Sequence, residues 1–223
     1  MFVSIALCMV LVTAGLGLYG VTTHEDIVRY TDSWVDLRGH IGMIAPTSMC
    51  GTMEDSEQQN EFQMIAEQPI VAVVQPTGRI QQRYNATLTD LLVKEVVKGD
   101  LAEGEVIQYL SRSYFQTDVI EFDFEVYSGN RVNLMNPDYE YLVVMDVWPI
   151  PEGWRDDGNR YYMTTSLTSY PYFCLTDLPN TLAQRFYPGI ELAYYEDLRD
   201  NEIFPTSQQQ IDGFYKLKQK ILR

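Results

Sequence analysis

YNATLTDLLVKEVVKGDLAEGEVIQYL, residues 84–110, decides the fold. Tyr84 to Val97 reads as one strand, long enough to bend. Lys98-Gly99-Asp100 is a turn, and Gly104 precedes a second strand, Val106-Ile107-Gln108-Tyr109-Leu110. Two strands with so short a link predict a hairpin.

The pattern continues on both sides. Upstream, Ile70 to Val74 is a short β-branched run, closed by Pro76-Thr77-Gly78. Downstream, Glu121 to Val126 alternates acid and apolar, so Glu121, Asp123 and Glu125 share one face. Tyr139 to Trp148 is another strand, stopped by Pro149 and Pro151. Tyr161 to Met163 and Tyr172 to Leu175 are further short strands. Short strands punctuated by Gly and Pro predict a small barrel or sandwich.

Val93-Lys94-Glu95-Val96-Val97-Lys98-Gly99-Asp100, followed by Gly104-Glu105-Val106-Ile107, resembles a hairpin of netrin-like, TIMP-like OB-type β-barrels. Glu140-Tyr141-Leu142-Val143-Val144 resembles a later strand of the same proteins. The likeness spans residues 68–148 and extends to uncharacterised membrane-anchored bacterial proteins. It implies an OB-like barrel. In this superfamily, tissue inhibitors of metalloproteases bind their target's zinc through an N-terminal cysteine. No cysteine opens this barrel, so no inhibitory residue carries over, and fold alone assigns no activity.

The first charged side chain is Glu25. Before it, Phe2 to Val21 is an almost unbroken apolar run. About 20 such residues span a bilayer as a helix. The expectation is a membrane anchor or uncleaved signal at residues 1–23, with a cleaved signal and a buried core helix as the competing readings. Arg29 and Arg38 follow the run and no Lys or Arg precedes it, which taken literally places the body inside. The resemblance to anchored, exported bacterial proteins implies an extracytoplasmic body instead. Residues 24–67 read as a juxtamembrane helix (apolar Ile27, Tyr30, Trp34, Leu37, ended by Gly39) and an acidic loop or loose helix. Residues 206–223 read as a C-terminal helix, with Ser207 as N-cap and Gln210 three positions on. Its stripe is Ile211, Phe214, Tyr215, Ile221 and Leu222, and Lys216, Lys218, Lys220 and Arg223 complement the dipole.

The fold class is therefore mainly β, with an N-terminal transmembrane helix and a C-terminal α-helix. The barrel and a Tyr-rich extension fill residues 68–205. Composition agrees: 46% of residues are hydrophobic, enough for a core, and sixteen Tyr outnumber nine Phe, which suits half-wet strands. The formal net charge of −15 argues against nucleic acid. It serves solubility, or else a basic or cation-dependent partner.

Candidate chemistry is sparse. The only histidines, His24 and His40, precede the barrel, and no phosphate-binding loop is present. No catalytic residue stands out. The Glu121, Asp123, Glu125 face would suit calcium if it converged, but a solvated face is the commoner use. Asp156-Asp157-Gly158-Asn159 reads as a plain turn. Cys50 and Cys174 are a disulfide candidate if the body is exported, or two buried thiols. Tyr161, Tyr162, Tyr170 and Tyr172 are the candidate recognition residues, with strand packing as the alternative use. The leading function is a membrane-anchored, non-catalytic module that binds a protein or glycan partner. A cation-assisted envelope hydrolase and a protease-inhibitor-like module are the alternatives.

Overall fold

One strand used along both edges closes the sheet into a barrel. The computed structural model describes residues 33–44, 55–83, 86–116, 125–128, 131–149, 158–164, 168–186 and 192–223. In chain order the elements are α1 (Trp34–His40), β1 (Ile41–Ile44), α2 (Asp55–Ala66), β2 (Ile70–Arg83), β3 (Ala86–Lys98), β4 (Val106–Ser111) and β5 (Tyr114–Gln116). They continue with β6 (Glu125–Ser128), β7 (Tyr141–Val147), β8 (Tyr161–Met163), β9 (Tyr172–Cys174), β10 (Ala193–Tyr194), a 3-10 turn (Tyr195–Asp197) and α3 (Gln208–Ile221). β2 pairs antiparallel with β3 on one edge and with β7 on the other. β3 pairs with β4, β4 runs parallel to β8, and β8 returns antiparallel to β7. The circuit β2-β3-β4-β8-β7 is a closed, mixed five-stranded barrel, consistent with an OB-like barrel. β9 lies along β7 beside β8. A second sheet has the order β10-β1-β6-β5.

The strands follow period 2 where one face is wet. Ile70, Ala72 and Val74 of β2 point inward, as do Ile107 and Tyr109 of β4. Tyr141 to Met145 of β7 are buried without alternation, the mark of a strand covered on both faces. All of these but Leu142 belong to the larger core, completed by Phe173 of β9 and Phe214 and Leu217 of α3. A smaller core gathers Leu37, Ile41, Ile44, Leu134, Ala193, Tyr195, Leu198 and Phe204. Ile80 belongs to this second core, so β2 serves both.

That double service explains a departure from expectation. Pro76-Thr77-Gly78 does not end the strand. Pro76 faces Leu91 and Ile80 faces Thr89, so the intervening residues form a bulge, with Gly78 at φ 87°. A bulge bends a strand and raises its twist. Pro76 lies beyond the β7 pairing, which ends at Val74, so its missing N–H costs no bond on that edge. Of the two expectations for the segment before the barrel, loop or loose helix, residues 55–66 take the helix, α2. Its Phe62 and Ile65 pack on the larger core, and Lys98 Nζ caps its end by donating to Ala66 O (3.2 Å) and Gln68 O (2.7 Å). The helix expected to end at Gly39 runs one residue further and passes directly into β1.

Ser207 caps α3 as expected, its hydroxyl accepting from Gln210 N at 3.3 Å. The return bond of the capping box shifts by one: Gln210 Oε1 accepts from Thr206 N at 2.8 Å. The expected transmembrane segment lies outside the described residues. Among those described, no helix is long and apolar enough to cross a membrane.

The β3–β4 link holds the tightest approach. Gly99 has φ 102°, and a Cβ there would lie 2.9 Å from Ile70 Cγ1 and 3.0 Å from Pro69 O. Gly99→Ala therefore meets both a left-handed backbone and a fixed neighbour. We expect it to lower stability by about 2–4 kcal/mol in urea unfolding, whereas Gly104→Ala, with open space at its Cβ, costs less.

Candidate functional site

Between the barrel and the second layer lies a cavity of about 120 Å³. Tyr141 and Tyr172 wall it on the barrel side, and Trp34, Arg38 and Tyr195 on the other. Tyr139 and the segment Arg199 to Glu202 complete it. Five of the lining side chains are aromatic.

The rings are fixed through their hydroxyls. Tyr172 donates to Asn133 O at 2.7 Å, and its ring meets Tyr141 edge-on, centroids 6.0 Å apart. Tyr141 Oη accepts from Asn136 N at 2.8 Å. Tyr195 donates to Asn133 Oδ1 at 3.2 Å. Asn133 Nδ2 in turn donates to Arg199 O (3.0 Å) and Asn201 O (2.9 Å). One buried asparagine thus sets two rings and the backbone of the opposite wall. Burial pushes the Tyr141 and Tyr195 hydroxyls above the ordinary phenol value.

Arg38 is held from several sides. Its guanidinium lies over the Trp34 ring, 4.8 Å from the centroid. Its Nη2 donates to Arg199 O at 2.7 Å and to Asp200 Oδ1 at 2.8 Å. Burial opposes its charge, but Tyr195 and Asp200 more than offset this and hold the group above its usual value. The Trp34 indole N–H is buried and has no partner among the described residues.

The Glu202 wall rests on a buried ion pair. Lys218 Nζ lies 2.7 Å from Glu202 Oε2 and also donates to Thr176 O at 3.3 Å. Glu202 Oε1 accepts from Cys174 N at 2.7 Å. The Glu202 backbone accepts from Asn133 N (2.9 Å) and donates to Asn180 Oδ1 (3.1 Å). Both side chains are at most 4% exposed. Burial pushes the Glu202 carboxyl up, against the opposing pull of Lys218. Lys218 lies in the last turn as expected of a cation that complements the helix dipole, but its side chain is buried. It lies one turn after Phe214, on the buried face of α3, and that spacing was its only sequence signal.

The sequence-predicted residues fare unevenly. Tyr162, Tyr170 and Tyr172 are core residues, not an exposed recognition surface. Tyr170 packs on Phe214, centroids 5.2 Å apart, and only Tyr172 reaches the cavity. Tyr161 is half-buried and meets Trp148 edge-on at 6.2 Å. Glu125 opens β6 opposite Ile41, while Glu121 and Asp123 lie outside the described residues. Among the described residues, no group of three His, Cys, Asp or Glu is placed to hold a metal. Cys174 is a buried free thiol, raised by burial, and Cys50 lies outside the described residues. His40 is the last residue of α1. Arg38 and Asp200 were not anticipated as site residues; Trp34 reads only as part of a helical stripe, and Tyr195 only as one tyrosine of a broader recognition cluster. Trp34 and Arg38 stand one helical turn apart, but no local spacing links them to Tyr195 and Asp200.

No protein-family model matches the chain, and no curated protein matches it significantly.

Removing one member of the buried pair leaves the other charge uncompensated. Lys218→Met alone should cost about 3–5 kcal/mol in urea unfolding. Adding Glu202→Gln, which retains an acceptor for Cys174 N, should restore most of it.

Proposed function

We propose that this chain is a non-catalytic binding module whose cavity receives a small group from a protein or glycan partner. The observation that carries this reading is the aromatic-walled cavity between two β layers, three of its tyrosines, Tyr141, Tyr172 and Tyr195, locked by hydrogen bonds before any partner arrives. Binding sites favour such junctions, with apolar walls and a few converging polar groups. About 120 Å³ suits one side chain or similar group, so the partner presents an end or a protrusion. A preformed wall lowers the ordering cost of binding.

The apolar run Phe2 to Val21 supplies a single-pass membrane anchor, and the body faces the extracytoplasmic side. The sequence resemblance to anchored, exported bacterial proteins supports that placement. OB-like barrels present ligand-binding surfaces on a rigid frame.

The test follows the indole resonances of the full chain in lipid nanodiscs while short peptides and simple sugars are added. A saturable shift of the Trp34 indole, weakened about tenfold or more by Arg38→Ala, is the expected outcome. A folded protein whose Trp34 signal responds to neither class contradicts the reading.

A further inference from the structure

We infer that the cavity mouth is a receptor for a single carboxylate, the chain-terminal carboxylate of a peptide, and that Asp200 stands in for it. This rests on the cavity being a binding site. Arg38 and Arg199 share one acid there: Arg38 Nη2 lies 2.8 Å from Asp200 Oδ1, and Arg199 Nε lies 3.6 Å from Asp200 Oδ2. Among the described residues lining the cavity, the other acid, Glu202, is already matched by Lys218. Those described lining residues therefore carry one positive charge in excess, on a chain of formal net charge −15. That local excess is what an incoming anion would meet.

Arg38 and Asp200 differ in how firmly they are held. The Arg38 side chain is 22% exposed and stacks on Trp34, whereas Asp200 is 68% exposed. A fixed guanidinium beside a loosely held carboxylate is a preorganised fork with a replaceable occupant. Asp200 can swing into water while Arg38 keeps its bond to Arg199 O at 2.7 Å. A terminal carboxylate would then take the Asp200 position, and the last side chain would enter the aromatic cavity behind it. Capture of a chain end by such donors is a known recognition mode. The strongly negative body disfavours a polymer carrying many carboxylates, such as a polyuronate, and favours a ligand with one.

The full chain in nanodiscs is titrated with acetyl-Ala-Ala-Leu as the free acid, with the same peptide as its C-terminal amide, and with methyl glucuronide. The free acid should bind about tenfold or more tightly than the amide. Asp200→Asn, an exposed change, should tighten the acid severalfold and widen the gap between acid and amide, and Arg38→Lys should weaken the acid about tenfold. Equal binding of acid and amide overturns the carboxylate inference while leaving the cavity as a binding site. Tighter binding of methyl glucuronide overturns it in favour of a glycan acid. If none of the three binds, the inference fails, and the sugars and peptides of the broader titration decide the cavity reading separately.

Discussion

A buried carboxylate, Glu202, ties together the parts of this fold that the barrel alone does not hold. Its two oxygens bind Lys218 of α3 and the backbone of Cys174 in β9. Its own backbone binds Asn133 and Asn180. A charge buried this deeply costs several kcal/mol unless every lone pair is matched. The match requires the C-terminal helix, the β9 edge and the 199–204 segment to be in place together. The aromatic cavity is walled by that same segment, so its shape depends on the same node.

The two cores make this arrangement necessary. The larger core fills the barrel and runs out under α3, where Phe214 stacks on Phe173 at 5.8 Å. Burying such a ring contributes roughly 1.5–3 kcal/mol, enough to hold a helix of this length against fraying. The smaller core sits under α1 and the second sheet. Ile80 links the two because β2 bends at its bulge. Asn133 and Arg199, joined by the hydroxyl of Tyr195 from the smaller core, form a polar seam at the boundary between the cores, and the cavity opens along it.

Much of the barrel was legible because its signals are local. The hairpin around Gly99, the β-branched start of β2 and the short aromatic strands all follow from period and punctuation. The Ser207 cap was legible for the same reason. Pro76-Thr77-Gly78 misled because one chemistry serves both a turn and a barrel bulge, and only long-range pairing decides between them. The polarity of α2 left loop and helix both open, since only Phe62 and Ile65 of its apolar residues pack on the larger core. Tyr161, Tyr162 and Tyr172 were read correctly as strand residues, but their exposure depended on what covers β7 and β9. The cavity was illegible: Trp34, Tyr141 and Asp200 meet only after the barrel closes.

Native-state hydrogen exchange tests the central claim, that the Glu202 node makes helix, edge strand and barrel one cooperative unit. The amides of Cys174, Phe214 and Leu217 are predicted to exchange only through the opening that also exposes Ala72 and Val143 in the barrel. Exchange of the α3 amides through a separate, lower-energy opening, with the barrel still protected, would contradict it.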